Sequence, residues 1–289
     1  MSRTIAGVMK WGQWGAIMDK NTMSRQITDC LEIGITTFDH ADIYGGYTTE
    51  TEWGHAWNEL SFARDTIEII SKCGICYPCE SRPQYKIKYY DHSFDHIVAS
   101  VLQSIMNLQC EYLDLLLIHR PGPLMNPHEM AKAFDWLQTR GMVRKFGVSN
   151  FNTHQMELLR NVYPIAANQI EFSILHMDAM YDGTLDFCMN HKMEVQAWSP
   201  LGGGRLFSES ADFDFVLMRE RLREVGIQYQ LTLEEMAYLF ILKHPVSIRP
   251  VTGSTQLNRI HIAKICENKS IDIEWWYSIW TAVQGRKVP

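Results

Sequence analysis

The sequence predicts an α/β fold, a (β/α)8 TIM barrel built as a single domain over residues 1–289. Two observations favour this fold. Short apolar segments, typical of buried parallel strands, alternate with amphipathic segments of helical period from one end of the chain to the other. No Pro-, Gly- or Ser-rich linker divides the chain, and 289 residues over eight units is about 36 per unit, a normal repeat for such a barrel.

Eight segments have the length and apolar content of buried strands. They are residues 5–9, 35–39, 67–71, 113–118, 144–149, 165–170, 193–198 and 246–251. An open doubly wound sheet is the alternative, because alternation alone does not specify closure. That fold normally carries a glycine-rich phosphate turn after its first strand, and residues 7–15 do not match that fingerprint.

The segments between the strands have helical periodicity. They are residues 22–33, 50–60, 93–108, 127–139, 153–160, 183–191, 232–243 and 255–266. A further helix is predicted over 212–225, and the aromatic tail 271–283 is expected to pack on the outside. Ser93 and Thr153 are predicted to cap helix starts, and Gly34 and Gly141 to end helices.

Composition and charge exclude several classes of protein. With 46% hydrophobic and 21% charged residues, the chain can bury a large core. Mean hydropathy is −0.18, and no apolar run approaches the roughly 18 to 20 residues that span a bilayer. The first thirty residues show no secretory signal, so a cytoplasmic location is expected. A net charge of −6 without a Lys/Arg stripe argues against nucleic acid or a membrane surface as partner.

Seven cysteines are present, and three of them, Cys73, Cys76 and Cys79, have C-x2-C-x2-C spacing. This spacing can begin a zinc or iron–sulfur site, but the other four cysteines are scattered along the chain. We therefore expect ordinary reduced thiols and no metal. Cys73 directly follows Lys72, so its thiol is a candidate for oxidative inactivation.

Polar residues stand where the predicted strands end, and a barrel brings those ends together at its catalytic face. Each residue alone has a structural explanation, as a turn cap or a solvated strand end. Seven polar strand ends in succession favour a functional site. The residues are Asp39, Lys72, His119, Ser149, Asn150, Gln169, Glu171, Trp198, Ser199 and Thr252–Ser254.

Four of these strand-end and loop residues suit the protonation of a carbonyl oxygen. Tyr44 follows Asp39 on the next loop, and a tyrosine is a weak acid near neutral pH unless a cation lowers its pKa. Lys72 is predicted to supply that cation, Asp39 to hold Lys72, and His119 to orient the substrate oxygen. Because no side chain donates hydride, a nicotinamide cofactor is implied.

The later strand ends suit the same cofactor. Ser149, Asn150 and Gln169 can hydrogen-bond a carboxamide, and Trp198 can stack on the nicotinamide ring. Loop aromatics favour an apolar or planar substrate, and Trp11, which follows the first strand, is the predicted substrate contact beside Tyr44 and His119. The wider loop set is Trp11, Trp14, Trp53, Tyr77, Tyr85 and Met125.

Seven segments resemble motifs of the aldo-keto reductase family, in the bacterial-type NADPH-dependent branch, over nearly the whole chain. They are FDHADIYGGY (38–47), SKCG (71–74), LLLIHRPG (115–122), GVSNF (147–151), NQIEF (168–172), AWSPLGGG (197–204) and PVTGSTQLNR (250–259).

The resemblance implies roles for residues in these motifs. Tyr44, Lys72, Asp39 and His119 fall on the catalytic tetrad. Ser199, Leu201 and Gly203 fall on the pyrophosphate site. Ser254, Thr255 and Arg259 fall on the adenosine-phosphate site, where Arg suits a 2'-phosphate, so NADPH/NADP+ is favoured over NADH. The family also implies a small-molecule carbonyl substrate and a monomer.

Two other functions stay open at this stage. The barrel could be an NADPH-binding regulatory or sensor subunit with slow turnover, as in some relatives. A metal-dependent barrel hydrolase is the other alternative, but it leaves Lys72, Tyr44 and the last motif without roles. Its ligands would be Asp39, His40, Asp42, His119 and Glu171.

Overall fold

The computed structural model describes residues 1–209 and 212–289, and a closed barrel of parallel strands lies at its centre. The strands are β1 (Ile5–Gly7), β2 (Thr37–Asp39), β3 (Glu68–Cys73), β4 (Ile75–Cys76), β5 (Tyr89–Tyr90), β6 (Leu113–Ile118), β7 (Val143–Ser149), β8 (Ala167–Glu171), β9 (Glu194–Trp198) and β10 (Ile248–Thr252). The barrel order is β1-β10-β9-β8-β7-β6-β3-β2. The predicted (β/α)8 barrel is therefore confirmed.

Helices follow the strands and surround the barrel. They are α1 (Lys20–Glu32), α2 (Thr49–Trp57), α3 (Phe94–Leu108), α4 (Pro127–Thr139), α5 (Thr153–Arg160), α6 (Thr184–Asn190), α7 (Phe213–Tyr229), α8 (Leu233–Leu242), α9 (Leu257–Cys266) and α10 (Ile273–Gln284). Each predicted helix is present, and α4 and α5 have the predicted bounds. The helix predicted over 212–225 is longer than expected, because α7 continues to Tyr229.

The helix caps follow the sequence with one exception. Ser93 accepts a hydrogen bond from the His96 backbone N–H and caps α3 as predicted. The cap of α5 is Asn152 and not Thr153, because Asn152 and Gln155 form a reciprocal capping box. Gly34 adopts a left-handed φ of +78° just beyond α1, which favours glycine at that helix end.

Most strand bounds differ from the prediction by one or two residues, and the first strand ends two residues early. The ladder of β1 ends at Gly7, because the chain turns away after Val8, whose carbonyl accepts a hydrogen bond from the Trp11 backbone N–H. The segment between β3 and α3 contains a short antiparallel hairpin of β4 and β5, in which Ile75 pairs with Tyr90. This hairpin lies next to the end of β3, which carries Lys72.

The apolar core has two layers. Inside the barrel, a small cluster is formed by Ile5, Ile70, Leu115, Leu117, Ala167 and Val251, with Trp198 packed against it. A much larger cluster fills the space between the strands and the helices. Strand side chains alternate between these layers, as the period of two in a strand requires. In the described ranges, no helix is both long and apolar enough to cross a bilayer.

Arg249 closes the amino-terminal end of the barrel. It is the second residue of β10 and is only 8% exposed. Its guanidinium donates hydrogen bonds to Glu194 on β9 (3.0 Å) and Glu68 on β3 (2.8 Å), to Thr37 Oγ1 on β2 (2.8 Å) and to the Ser2 carbonyl (2.8 Å). One cation thus joins the starts of four strands.

Candidate active site

A cavity of about 420 Å³ opens at the carboxyl ends of the barrel strands. In parallel barrels, active sites form at this face. Most of the predicted catalytic and cofactor residues line it: Asp39, Tyr44, His119, Ser149, Gln169, Trp198, Ser199, Leu201, Gly203, Ser254 and Arg259. The structure therefore gathers into one cavity residues that lie more than 200 positions apart in sequence.

Lys72 lies beneath this cavity and joins the proposed catalytic side chains. It is 1% exposed, and its Nζ donates to Asp39 Oδ2 (2.7 Å), Tyr44 Oη (3.0 Å) and the His40 carbonyl (2.8 Å). A lysine ammonium has three N–H groups and no acceptor. Tyr44 Oη is therefore the acceptor of the Lys72 bond, and its own proton remains available to a group in the cavity.

Burial dominates the electrostatics of Tyr44. Desolvation raises the pKa of the phenol above its usual value of 10.0, although the positive charge of Lys72 lowers it in part. Lys72 therefore lowers the phenol pKa in the predicted direction, but burial outweighs the cation and the net shift is upward. Burial also disfavours the Lys72 ammonium, but Asp39 and Tyr44 more than offset this effect, and the Lys72 pKa is raised.

His119 lies against Tyr44, with ring centroids 6.1 Å apart in an edge-to-face arrangement. Burial, together with the charges of Lys72, Arg120 and Lys88, lowers the pKa of His119 well below 6.5. The imidazole is therefore neutral at physiological pH. A neutral imidazole has one N–H donor, which suits it to hydrogen-bond a substrate oxygen without supplying charge.

Gln169 links Asp39 to a residue that the sequence reasoning missed. Its Nε2 donates to Asp39 Oδ1 (2.8 Å) and to Gln196 Oε1 (2.9 Å), and all three side chains are buried. Gln196 stands in the middle of β9, away from the strand end, and a pattern of polar strand ends does not include it. The chain of bonds holds the Asp39 carboxylate in the orientation that binds Lys72.

Asn150 positions Trp198 and does not itself line the cavity. Its Oδ1 accepts a hydrogen bond from Trp198 Nε1 (3.0 Å), and its Nδ2 donates to Ser149 Oγ (2.7 Å). Asn150 and Ser199 have left-handed φ angles of 57° and 51°, an uncommon backbone conformation outside glycine. These two turns follow β7 and β9 and aim Ser149 and Trp198 at the cavity.

The far end of the cavity is lined by small residues and Arg259. Gly203 and Gly204 have φ angles of +66° and +92°, and a Cβ atom added at Gly204 or Gly253 would meet nothing within 4 Å. Their backbone therefore faces open space, as a phosphate-binding turn requires. Arg259 is exposed, and its Nε lies 3.9 Å from Glu234 Oε1. Thr255 does not line the cavity.

The assignment of Trp11 as a substrate contact is wrong. Trp11 is fully buried, and its Nε1 donates to the Ser254 carbonyl (3.1 Å), so it supports the loop after β10 from behind. The turn after β1 points Trp14 to the cavity instead, with its ring 6.2 Å from that of Tyr44. Of the loop aromatics and Met125, Trp14 is the member that lines this cavity; Trp53 lies in the core.

The possible metal ligands do not gather as the hydrolase alternative requires. Among the described residues, one group brings three His, Cys, Asp or Glu donor atoms within 4.8 Å of one another: Cys76, Asp91 and His96. Asp39 and His119 belong to no such group, and Asp39 binds Lys72 and Gln169. The C-x2-C-x2-C spacing does not form a three-thiol group either, and Cys73 and Cys76 are buried.

The fold and the site define a barrel oxidoreductase of the kind that uses a nicotinamide cofactor. The chain belongs to the aldo/keto reductase family, whose model matches residues 4–279. It is therefore an NAD(P)H-dependent oxidoreductase, and the family acts on small-molecule carbonyl compounds.

Individual relatives are similar over nearly their whole length. The chain is 42% identical to the oxidoreductase YcsN of Bacillus subtilis, covering 100% of this chain and 96% of YcsN. It is 36% identical to 6-dehydroglucose reductase of Agrobacterium fabrum, covering 96% and 94% of the two chains. The glycerol dehydrogenase of Gluconobacter oxydans has the same fold, with a TM-score of 0.85 at 22% identity over 99% and 92% of the chains.

Proposed function

We propose that this protein reduces aldehyde or ketone carbonyls to alcohols, with Tyr44 as the general acid. The observation that carries the proposal is the hydrogen bond from Lys72 Nζ to Tyr44 Oη at 3.0 Å, with Asp39 on the same ammonium. This bond leaves the phenolic proton for the cavity. A positioned acid of this kind contributes about 10²- to 10⁴-fold to a rate.

His119 orients the substrate in this proposal. Its neutral ring can donate one N–H to the carbonyl oxygen that receives the Tyr44 proton. When the proton leaves Tyr44, the adjacent Lys72 ammonium stabilises the phenolate that forms. Asp39 keeps that ammonium in place, and Gln169 and Gln196 keep Asp39 in place.

The residues present fit NADPH as the cofactor. Trp198 would lie on the nicotinamide side, with Ser149 and Gln169 offering polar atoms to the carboxamide. Ser199, Leu201 and Gly203 would lie along the pyrophosphate, and the open backbone at Gly204 and Gly253 leaves room there. Ser254 and Arg259 would hold the 2'-phosphate. When bound, the reduced nicotinamide supplies the hydride that the protein cannot.

A hydroxylated aldehyde is one substrate candidate, because one relative at 36% identity is named a 6-dehydroglucose reductase. The alternative function is a sensor or regulatory subunit that binds NADPH and turns over slowly. The paired Tyr44 and Lys72 favour the enzyme, because a sensor needs the cofactor site but not an acid poised in the cavity.

The test is NADPH oxidation by the purified protein against a panel of aldehydes, ketones and quinones. We expect turnover with at least one aldehyde class and none without a carbonyl substrate. Tight NADPH binding with no turnover across the panel would support the sensor instead.

A further inference from the structure

The lining of the cavity carries an excess of positive charge. Lys10, Lys88, Arg120 and Arg259 all line the cavity, whereas Asp39 is the one acidic residue among the described lining residues. The Asp39 carboxylate is already bound to Lys72. The chain as a whole carries a net charge of −6, so this excess of positive charge is local.

Arg120 is the most informative of these cations, because it is half-buried and its guanidinium has few hydrogen-bond partners. Among the described residues, its side chain makes one hydrogen bond, a long one from Nη1 to the His119 carbonyl at 3.4 Å. A guanidinium has five N–H donors. The Glu171 carboxylate influences Arg120 electrostatically, but it does not lie within the 4.0 Å of an ion pair. Most of the donors of Arg120 are therefore available.

The position of Arg120 places these donors beside the reaction centre. Its guanidinium carbon lies 5.7 Å from the centroid of the Trp198 ring, so the aromatic face holds it at the cavity wall. The positive charge of Arg120 acts on Tyr44 and His119, and that of Lys88 also acts on His119. Both cations therefore line the cavity close enough to His119 to influence it electrostatically.

The same cavity also has an apolar wall. Trp14, Ile43, Ile75 and Phe207 line it. A ligand that fits both features has an apolar or planar body and an anionic end. Half-buried guanidinium groups bind carboxylate and phosphate strongly, because each contact is a charge-assisted hydrogen bond and pairs can be bidentate.

We propose that Arg120 and Lys88 form an anion-binding subsite, and that the substrates are carbonyl compounds carrying a carboxylate or a phosphate. The inference rests on the proposed reductase function for its kinetic test. Arg120 follows β6 and Lys88 precedes β5, so the subsite joins two loops that line the same cavity as Tyr44.

Matched substrate pairs test the subsite and separate its two anion types. The pairs are 4-carboxybenzaldehyde with benzaldehyde, and glyceraldehyde 3-phosphate with glyceraldehyde. We expect the anionic member of at least one pair to have a kcat/KM about tenfold higher, mainly through a lower KM, because a hydrogen bond to a charged group is worth about one such factor. The preference should fall with added salt. Equal or better use of both neutral members would overturn the proposal.

Substitutions test whether Arg120 and Lys88 cause the preference for anionic substrates. Arg120→Met and Lys88→Met remove charge but keep an apolar stem, and each should reduce the preference for the anionic substrate. The matched controls are Arg140→Met, an exposed arginine that also lies over a tryptophan, and Lys86→Met, an exposed lysine outside the cavity lining. Both controls should keep the preference. If Arg120→Met weakens NADPH binding and leaves the preference unchanged, Arg120 is a cofactor contact and the proposal fails.

Binding separates failure of the subsite from failure of the proposed function. Benzoate should quench tryptophan fluorescence of the cofactor-free protein, and it should bind about tenfold more weakly to Lys88→Met or Arg120→Met. Benzyl alcohol is the neutral control. Saturable benzoate binding that depends on both cations, without turnover of any carbonyl, would leave the subsite standing and remove the reductase. Turnover of benzaldehyde with no difference between benzoate and benzyl alcohol binding would support the reductase and overturn the subsite.

Discussion

Lys72 Nζ lies 3.0 Å from Tyr44 Oη and 2.7 Å from Asp39 Oδ2, in a position that water does not reach. Because the ammonium only donates, Tyr44 keeps its proton for the substrate. Tyr44→Phe should therefore lower kcat for carbonyl reduction by about 10²- to 10⁴-fold. NADPH affinity, measured by fluorescence titration, should change little. Unchanged turnover in this variant would show that another group is the acid.

The pH profile of reduction follows from the pKa shifts at the site. Burial raises the Tyr44 pKa above 10.0, so the acid form persists through the neutral range and is lost only at higher pH. The His119 pKa is lowered well below 6.5, so its ring does not become charged near neutrality. We expect kcat/KM to be flat between about pH 6 and about pH 9. A loss of activity near pH 6.5 that disappears in His119→Asn would contradict the neutral histidine.

Arg259→Ala tests the cofactor preference. Arg259 is exposed at the end of the cavity lined by Ser254, where a 2'-phosphate would lie in the proposed complex. Loss of the guanidinium should weaken NADPH binding about tenfold or more, since it removes a charge-assisted hydrogen bond, and should leave NADH affinity nearly unchanged. Titrations with both cofactors measure this. Equal losses for NADPH and NADH would remove the 2'-phosphate assignment.

The Arg249 cluster at the barrel bottom should contribute to stability and not to catalysis. Arg249→Met leaves Glu68 and Glu194 without their shared cation, and breaking a buried pair in this way costs about 3–5 kcal/mol. Urea unfolding measures the loss, with exposed Arg25→Met as a control that should change stability little. An unchanged unfolding midpoint for Arg249→Met would show that the cluster is energetically neutral.

The Arg249 cluster should also make the stability of the protein depend on pH in the acidic range. Burial opposes ionisation of Glu68, but Arg249 outweighs it and lowers the Glu68 pKa below 4.5. A carboxyl whose pKa is lowered on folding stabilises the protein fully above its unfolded value, and the contribution is lost as pH falls through the folded value. The stability difference between wild type and Arg249→Met should therefore shrink as the pH falls, beginning above pH 4.5, because burial without Arg249 raises the Glu68 pKa in the folded variant. A difference that grows on acidification would contradict this sign.

Cysteine reactivity is decided by burial. Cys73 is 1% exposed, and burial with the nearby charges of Asp42 and Glu50 raises the pKa of its thiol well above 9.0. The expectation that Cys73 is a site of oxidative inactivation is not supported, because the reactive species is an accessible thiolate. Iodoacetamide should label half-buried Cys79 before Cys73, as measured by mass spectrometry. Rapid labelling of Cys73 in folded protein would contradict this.

The sequence by itself predicted the barrel and most of the catalytic and cofactor-binding candidates that line the cavity. Alternating apolar and amphipathic segments specify strands and helices locally, and closure then brings polar strand ends such as Asp39, Lys72 and His119 to one face. The signal is strong because it depends only on period and on position within each strand, both of which are readable along the chain.

Only the tertiary structure decided which neighbours each side chain meets. Trp11 and Trp14 are both loop tryptophans in the sequence, but the turn after β1 buries the first and directs the second to the cavity. The Tyr44 pKa depends on burial by many distant residues as well as on Lys72. The sequence does not distinguish Arg120 from the other arginines, whereas the structure shows its few hydrogen-bond partners and its position beside Trp198. Desolvation and hydrogen-bond satisfaction are sums over the folded surroundings, and local sequence does not contain those sums.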